Sequence, residues 1–204
     1  MNLIVGLDPG TTAGAYTVID EDENIIDYRS WKSKNAYVGW PAVATAADFV
    51  GMKYPEAKLF YEMPFIKYFV RGGIEEHKIR EIVGKLRKGG SVHLPGGYSK
   101  TSLDLSECVG AFKARFPLGS DPIPPSEWRK VLGIRGQKGK TDWKQLVIDW
   151  STVYLQGQQQ KGKLSPRGSR MLVAIIRGNS HISDSLCVAL AGKRRYMKKC
   201  ELIL

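Results

Sequence analysis

Cysteine is scarce in this chain of 204 residues: Cys108, Cys187 and Cys200 are the only three. An odd count at wide spacing excludes a disulfide framework, and no CxxC pair marks a zinc site. The thiols read as buried or incidental side chains in a reducing cytoplasm. Long apolar runs are missing as well. None approaches the roughly 20 residues of a membrane span, so no membrane partner is expected. The opening segment Met1–Leu7 lacks the basic leader of a signal peptide. No internal repeat and no clear linker interrupts the chain. Acidic residues thin out along it: residues 126–204 hold 5 Asp and Glu against 16 Lys and Arg, whereas residues 1–125 hold 15 of each. The whole net charge of +11 therefore lies in the last 79 residues. A solvated basic surface is the plain reading. An excess this one-sided more often marks an anionic polymer as partner, and nucleic acid is the commonest.

Hydrophobic residues make up 43% and charged residues 25% of the chain, ordinary values that exclude wholesale disorder. The length suits a single domain over residues 1–204. Leu3–Leu7 is a short apolar run stopped by Pro9-Gly10, which predicts a buried strand. Ala15–Ile19 and a segment starting Ile25–Tyr28 predict two more strands around the polar turn 20–24, giving an antiparallel meander. Pro41–Met52 predicts a helix with Pro41 near its start. Lys58–Glu62 predicts a fourth strand, parallel to its neighbour because a helix precedes it. A charged helical piece over Ile74–Lys88 and a glycine-rich loop follow. Leu103–Phe116 predicts a helix, suited to the core or to a subunit interface, and Asp121–Pro125 permits only a short edge segment. Ser126 is the expected cap of a short helix. Thr141 is the expected cap of one running from Asp142 to about Leu155. Gln156–Arg170 reads as polar and mobile, and Ser180 as the cap of a last helix, Ile182–Lys199. This order predicts one mixed α/β layered domain.

Four residues stand out for chemistry. Asp8 and Glu62 each end an apolar strand, where a carboxylate is costly to desolvate unless paired or metal-bound. His181 and Asp184 are three apart in the first turn of the last helix, which puts both on one face. Singly, each has an ordinary reading: a turn Asp, an outward strand Glu, a helix-dipole Asp and a surface His. Together they supply hard oxygen ligands and one nitrogen, a set suited to Mg²⁺ or Mn²⁺ held with substrate phosphate. Two such ions about 4 Å apart serve in-line phosphodiester displacement.

Gly6-Leu7-Asp8-Pro9-Gly10-Thr11-Thr12-Ala13-Gly14 resembles the first-strand motif of the RuvC family of Holliday junction resolvases. Tyr61-Glu62-Met63-Pro64-Phe65 is similar to that family's fourth-strand motif, and His181–Leu190 to its last-helix motif. The three occur in the family's order, with residues 66–100 and 156–179 as insertions. The first motif alone also opens the actin and sugar-kinase folds, but those need two such domains and do not account for the basic half. The resemblance implies a ribonuclease H-like fold with a mixed five-stranded sheet in the order βββαβαβα. It implies a homodimeric, metal-dependent endonuclease that nicks opposing strands of a four-way DNA junction, with two Mg²⁺ or Mn²⁺ ions per site. It assigns the ligand positions to Asp8, Glu62, His181 and Asp184, with His181 standing where some members carry Asp. Phe65 matches the aromatic wedged into the junction, where stacking on a base is worth about 1–3 kcal/mol. Arg129 or Lys130, and Lys140 or Lys138, fall near the family's basic positions and are candidate phosphate contacts. A cytoplasmic location, in a bacterium or a phage-infected host, follows. The alternatives are a related nuclease cutting forks, other branched DNA or RNA/DNA hybrids, and a non-catalytic nucleic-acid binder on the same fold.

Overall fold

Strand alternation decides which side of the sheet each residue serves. The computed structural model describes residues 2–34, 36–63, 100–136 and 142–201. Strands β1 (Ile4–Asp8), β2 (Ala13–Ile19), β3 (Ile25–Lys32), β4 (Lys58–Glu62) and β5 (Ser120–Ile123) form one sheet in the order β3-β2-β1-β4-β5. β1, β2 and β3 pair antiparallel. β4 joins β1 parallel and β5 joins β4 parallel. The expected meander and parallel fourth strand are therefore present, and the short segment at 120–123 is the edge strand.

Six helices are seen among the described residues: α1 (Ala36–Lys53), α2 (Lys100–Lys113), α3 (Pro125–Leu132), α4 (Trp143–Gln160), α5 (Pro166–Ile176) and α6 (Ser180–Glu201). They cover both faces of the sheet. On one face Val5, Leu7, Tyr16, Val18 and Leu59 pack with Val43, Val50, Cys108 and Phe112 of α1 and α2. On the other, Ile4, Ala15, Ile19, Phe60 and Ile123 pack with α3 to α6 through Trp128, Leu155, Met171 and Leu186. Cys108 and Cys187 are both buried, without a disulfide. The apolar residues of α2 thus belong to the core, and Phe112 stacks on Trp31 at 5.9 Å between ring centres.

Close approach of α6 to the sheet depends on two glycines. A Cβ at Gly6 would lie 2.3 Å from the backbone nitrogen of Ala189, and one at Gly192 would lie 2.4 Å from the Phe60 ring. Both positions need the bare backbone for α6 to seat over β1 and β4.

Several helix limits differ from expectation, each for a local reason. α1 begins before Pro41, which lies one turn in and forfeits a single backbone bond. Ser126 lies inside α3, whose cap position is Pro124 with Pro125 as its first residue. Asp142 caps α4, its Oδ1 accepting from the N–H groups of Lys144 and Gln145 at 3.0 and 3.2 Å. Asn179, and not Ser180, caps α6 through Oδ1 and the Ile182 N–H at 3.2 Å. The segment read as mobile is largely helical: α4 runs on to Gln160 and α5 starts at Pro166, capped by Ser165. The expected helix over 74–88, Phe65, Lys138, Lys140 and Thr141 lie outside the described residues.

Candidate active site

Ile4, Gly6 and Asp8 alternate onto the α6 side of β1, and Phe60 and Glu62 do the same on β4. Period-2 geometry thus delivers two carboxylates to one face at one sheet edge. α6 begins over that edge. His181 Nδ1 and Asp8 Oδ2 share a hydrogen bond of 2.7 Å. The Asp8 side chain is 14% exposed and that of His181 38%. Asp184, one helical turn on, lies close enough that its charge acts on Asp8, Glu62 and His181.

The electrostatics are those of crowded like charges. Burial, with the charges of Asp8 and Asp184, pushes the Glu62 carboxyl up to about 9. Burial and the Asp8 charge push Asp184 up to about 7. Burial also raises Asp8, against the pull of its bond to His181. His181 is raised in turn, chiefly by that bond. Two cations oppose the crowding: Arg129 favours the ionised forms of Glu62 and Asp184, and Lys144 those of Asp8 and Asp184.

Arg129 is fixed from both sides. Its guanidinium carbon lies 4.9 Å from the Trp128 ring centre and 4.6 Å from that of Trp143. Its Nε and the Trp128 indole Nε1 are buried without a hydrogen bond. Trp128 Nε1 stands near enough to Glu62 to favour its ionised form, yet completes no bond to it. These two buried donors beside the carboxylates are polar groups that an additional partner in the site could satisfy.

The donor set fits a hard divalent cation: three carboxylates and one imidazole, held on strand ends and one helix turn. The mutual repulsion that raises the carboxyl groups is what such a charge relieves. Among the described residues no three His, Cys, Asp or Glu side chains are drawn into a ready-made ligand cluster. With Asp8 engaged by His181, the carboxylates stand apart as uncompensated like charges do.

The structure thus joins Asp8 to His181 directly and sets Glu62 and Asp184 within electrostatic reach of them, while the basic candidates divide. Arg129 turns inward to the carboxylates and Lys130 is exposed on α3. Farther along α6, Lys193 and Arg194 pair with Glu23 at 3.5 and 4.0 Å, and Arg195 pairs with Glu127 at 3.2 Å. Lys144 was missed. Its signal was its place just after the Asp142 cap, in the first turn of a helix aimed at the same edge.

No family model matches the chain, and no curated protein matches it in sequence. Solved structures do. T. thermophilus RuvC in complex with Holliday junction substrate superposes with a TM-score of 0.55 at 13% identity, over 97% of this chain and 96% of that one. This chain has the RuvC fold. The Thermus thermophilus RuvC structure gives a TM-score of 0.49 at 18% identity, over 96% of each chain. The RuvC fold is of the ribonuclease H-like class, in agreement with the sheet order and the helices on both faces. Among the described residues no helix is long and apolar enough to cross a membrane.

Proposed function

We propose that this protein is a metal-dependent, structure-selective DNA endonuclease, a resolvase of four-way junctions. The observation that supports the reading is the Asp8–His181 bond at the end of β1 in a RuvC fold, with Glu62 and Asp184 within electrostatic reach of it. The basic C-terminal half supports a polyanionic substrate. The solved RuvC complex holds a Holliday junction, and the same class of branched DNA is the substrate proposed here.

Asp8, Glu62, Asp184 and His181 would hold two Mg²⁺ or Mn²⁺ ions. When bound, those ions supply Lewis-acid stabilisation of the attacking and leaving oxygens in an in-line displacement. The chain's own residues do the rest. The Asp8–His181 bond orients the imidazole and fixes its Nδ1 on the carboxylate. Arg129, immobilised between Trp128 and Trp143, keeps a positive charge beside Glu62 and Asp184 without needing to reorganise. Lys144 does the same for Asp8. Phe65, three residues after Glu62, is the proposed stacking wedge. Lys130, Lys138 and Lys140 are proposed phosphate contacts. Nicks on opposing strands require two sites, so the working unit is a homodimer.

The test is cleavage of a labelled immobile four-way junction with Mg²⁺ or Mn²⁺, beside matched linear duplex, a three-way fork and an RNA/DNA hybrid. Symmetric nicks that vanish with chelator and in Asp8→Asn are expected. Cleavage persisting in Asp8→Asn would overturn the assignment. Preferential cutting of the fork or the hybrid moves the substrate within the nuclease class. Tight binding without any cutting identifies a binding module instead.

A further inference from the structure

A recess opens beside the carboxylate site on the same sheet edge. It has a volume of about 470 Å³, and its walls include Ser30, Trp31, Lys32, Arg177, Asn179 and His181. Among the described residues no carboxylate lines it. His181 is the shared wall: Nδ1 is bonded to Asp8, and the same ring borders the recess.

Register explains the placement. Asp8 pairs with Ala15, Ala15 with Ser30, and Ala13 with Lys32. Ser30 is therefore two strand spacings from Asp8, roughly 10 Å, a distance that a DNA strand covers within its first nucleotides beyond the cut. Tyr28, Ser30 and Lys32 alternate onto one face of β3, and Tyr28 packs there against the core shared with α5 and α6. Lys32 thus rises beside the turn between those two helices. Arg177 comes from that turn, which Gly178 closes with a φ of +89°.

The walls are fixed. Asn179 donates from Nδ2 to Ser30 Oγ at 3.1 Å and accepts the Ile182 N–H at Oδ1, tying the β3 wall to the start of α6. The Trp31 indole donates to the Gly10 carbonyl at 2.7 Å and stacks on Phe112. Lys32 and Arg177 make no ion pair among the described residues. By contrast Lys53, Arg167, Lys193, Arg194 and Arg195 all have acidic partners. A recess of this size, with no carboxylate among its described walls and two cations that make no ion pair among the described residues, suits a phosphate carrying an organic group.

We propose that this recess is a nucleotide subsite that takes the nucleotide flanking the cleaved bond on the same strand, with Lys32 and Arg177 as its phosphate contacts. The assignment deepens the nuclease reading and rests on it for the words "flanking the cleaved bond". The placement of a phosphodiester on Lys32 and Arg177 stands on the recess alone.

The test uses the full-length protein and its Lys32→Ala/Arg177→Ala double variant. Both side chains are exposed, and an unchanged circular dichroism melt will verify the fold. Junction affinity is measured from 50 to 200 mM salt, and cleavage is measured for kcat and KM. Losing two phosphate contacts should lower the slope of log K against log salt by about 2. KM should rise several-fold while kcat changes by less than twofold, and Lys32→Arg/Arg177→Lys should restore KM. A single-stranded trithymidylate should compete for the parent protein at concentrations where inorganic phosphate does not; equal competition by phosphate would overturn the nucleotide assignment. An unchanged salt slope and unchanged KM in the double variant would overturn the subsite. If the parent cuts no DNA but the slope still falls, the nuclease reading fails and the phosphodiester contact stands.

Discussion

Gly6→Ala links the fold to the site most directly. The added carbon would stand 2.3 Å from both the Ala189 nitrogen and the Ser185 carbonyl oxygen, and 2.7 Å from the Ala189 Cα. Non-bonded heavy atoms settle at about 3.5–4.0 Å, so α6 must retreat from β1 by roughly 1 Å. Every obstructing atom is helix backbone, so no side-chain rotation relieves the overlap. Overpacking typically costs about 1–3 kcal/mol, and the backbone clash places this case near the upper limit. Restricting the unfolded chain returns about 0.4–1 kcal/mol. The net loss is about 2 kcal/mol. For a chain of this size that is a fall in Tm of about 4–8 °C. The same retreat stretches the Asp8–His181 bond, now 2.7 Å, and a misplacement of about 1 Å costs on the order of a hundredfold in rate. Thermal unfolding followed at 222 nm and single-turnover cleavage read the two effects. Gly157→Ala is the control: it lies in α4 with nothing within 4 Å of the new carbon, and it should stabilise by about 0.5–1 kcal/mol. A Gly6→Ala protein that melts within about 1 °C of the parent and cuts at the parent rate would refute the idea that this contact seats α6.

Glu62→Gln should abolish cleavage and leave junction binding within a few-fold, as gel-shift titration will report. Because the Glu62 carboxyl is raised from its ordinary 4.5 to about 9, the native protein holds a proton that the unfolded chain has lost. Stability of the metal-free protein should therefore fall as pH rises from about 5 to 9; denaturant melts will show the slope shrink in Glu62→Gln. Arg129→Ala removes a charge that favours ionised Glu62 and Asp184, so the acidic limb of the pH–rate profile should move to higher pH. Asp27→Asn weakens a carboxylate held by Lys53 at 2.9 Å, Tyr54 at 3.0 Å and Arg167 at 3.3 Å. It should cost about 2–3 kcal/mol in urea unfolding, given the strength of charge-assisted bonds.

The strands were readable because alternation and turn residues act locally: Pro9-Gly10 ends β1, and 20–24 turns β2 into β3. The same alternation made Asp8 and Glu62 visible as candidate site residues, and the three-residue spacing did so for His181 and Asp184. α5 was hidden by its surface. Arg167, Ser169 and Arg170 crowd its first turns, while Gly168, Met171, Leu172 and Ile175 are buried. Those four recur at helical spacing behind a Ser165-Pro166 start, a signal that composition alone obscured. The inward turn of Arg129 was not readable, because it depends on Trp143 coming back against Trp128 from another helix. The ion pairs of Lys193 to Arg195 were equally unreadable: their acidic partners, Glu23 and Glu127, are remote in sequence and adjacent only in the fold.

The carboxyl groups of the candidate site are shifted differently from that of a structural ion pair. A carboxylate kept for stability is matched by cations, as Asp27 is matched by Lys53 and Arg167. Glu62 and Asp184 are instead pushed up by burial and by the Asp8 charge, Glu62 also by that of Asp184, so ionising them works against the fold. Arg129 and Lys144 reduce that penalty without cancelling it. Arg129 remains turned to ring faces, with its Nε unpaired. A sequence selected only to fold would replace such acids with apolar or amide side chains, because uncompensated buried charge is among the costliest things a core can hold. Glu62 at the end of β4 and Asp184 in the second turn of α6, a helix that two glycines admit at close range, stand where the proposed cation and phosphate would need them. The expected signature is a Glu62→Gln protein that is more stable than its parent at pH 8 and unable to cut.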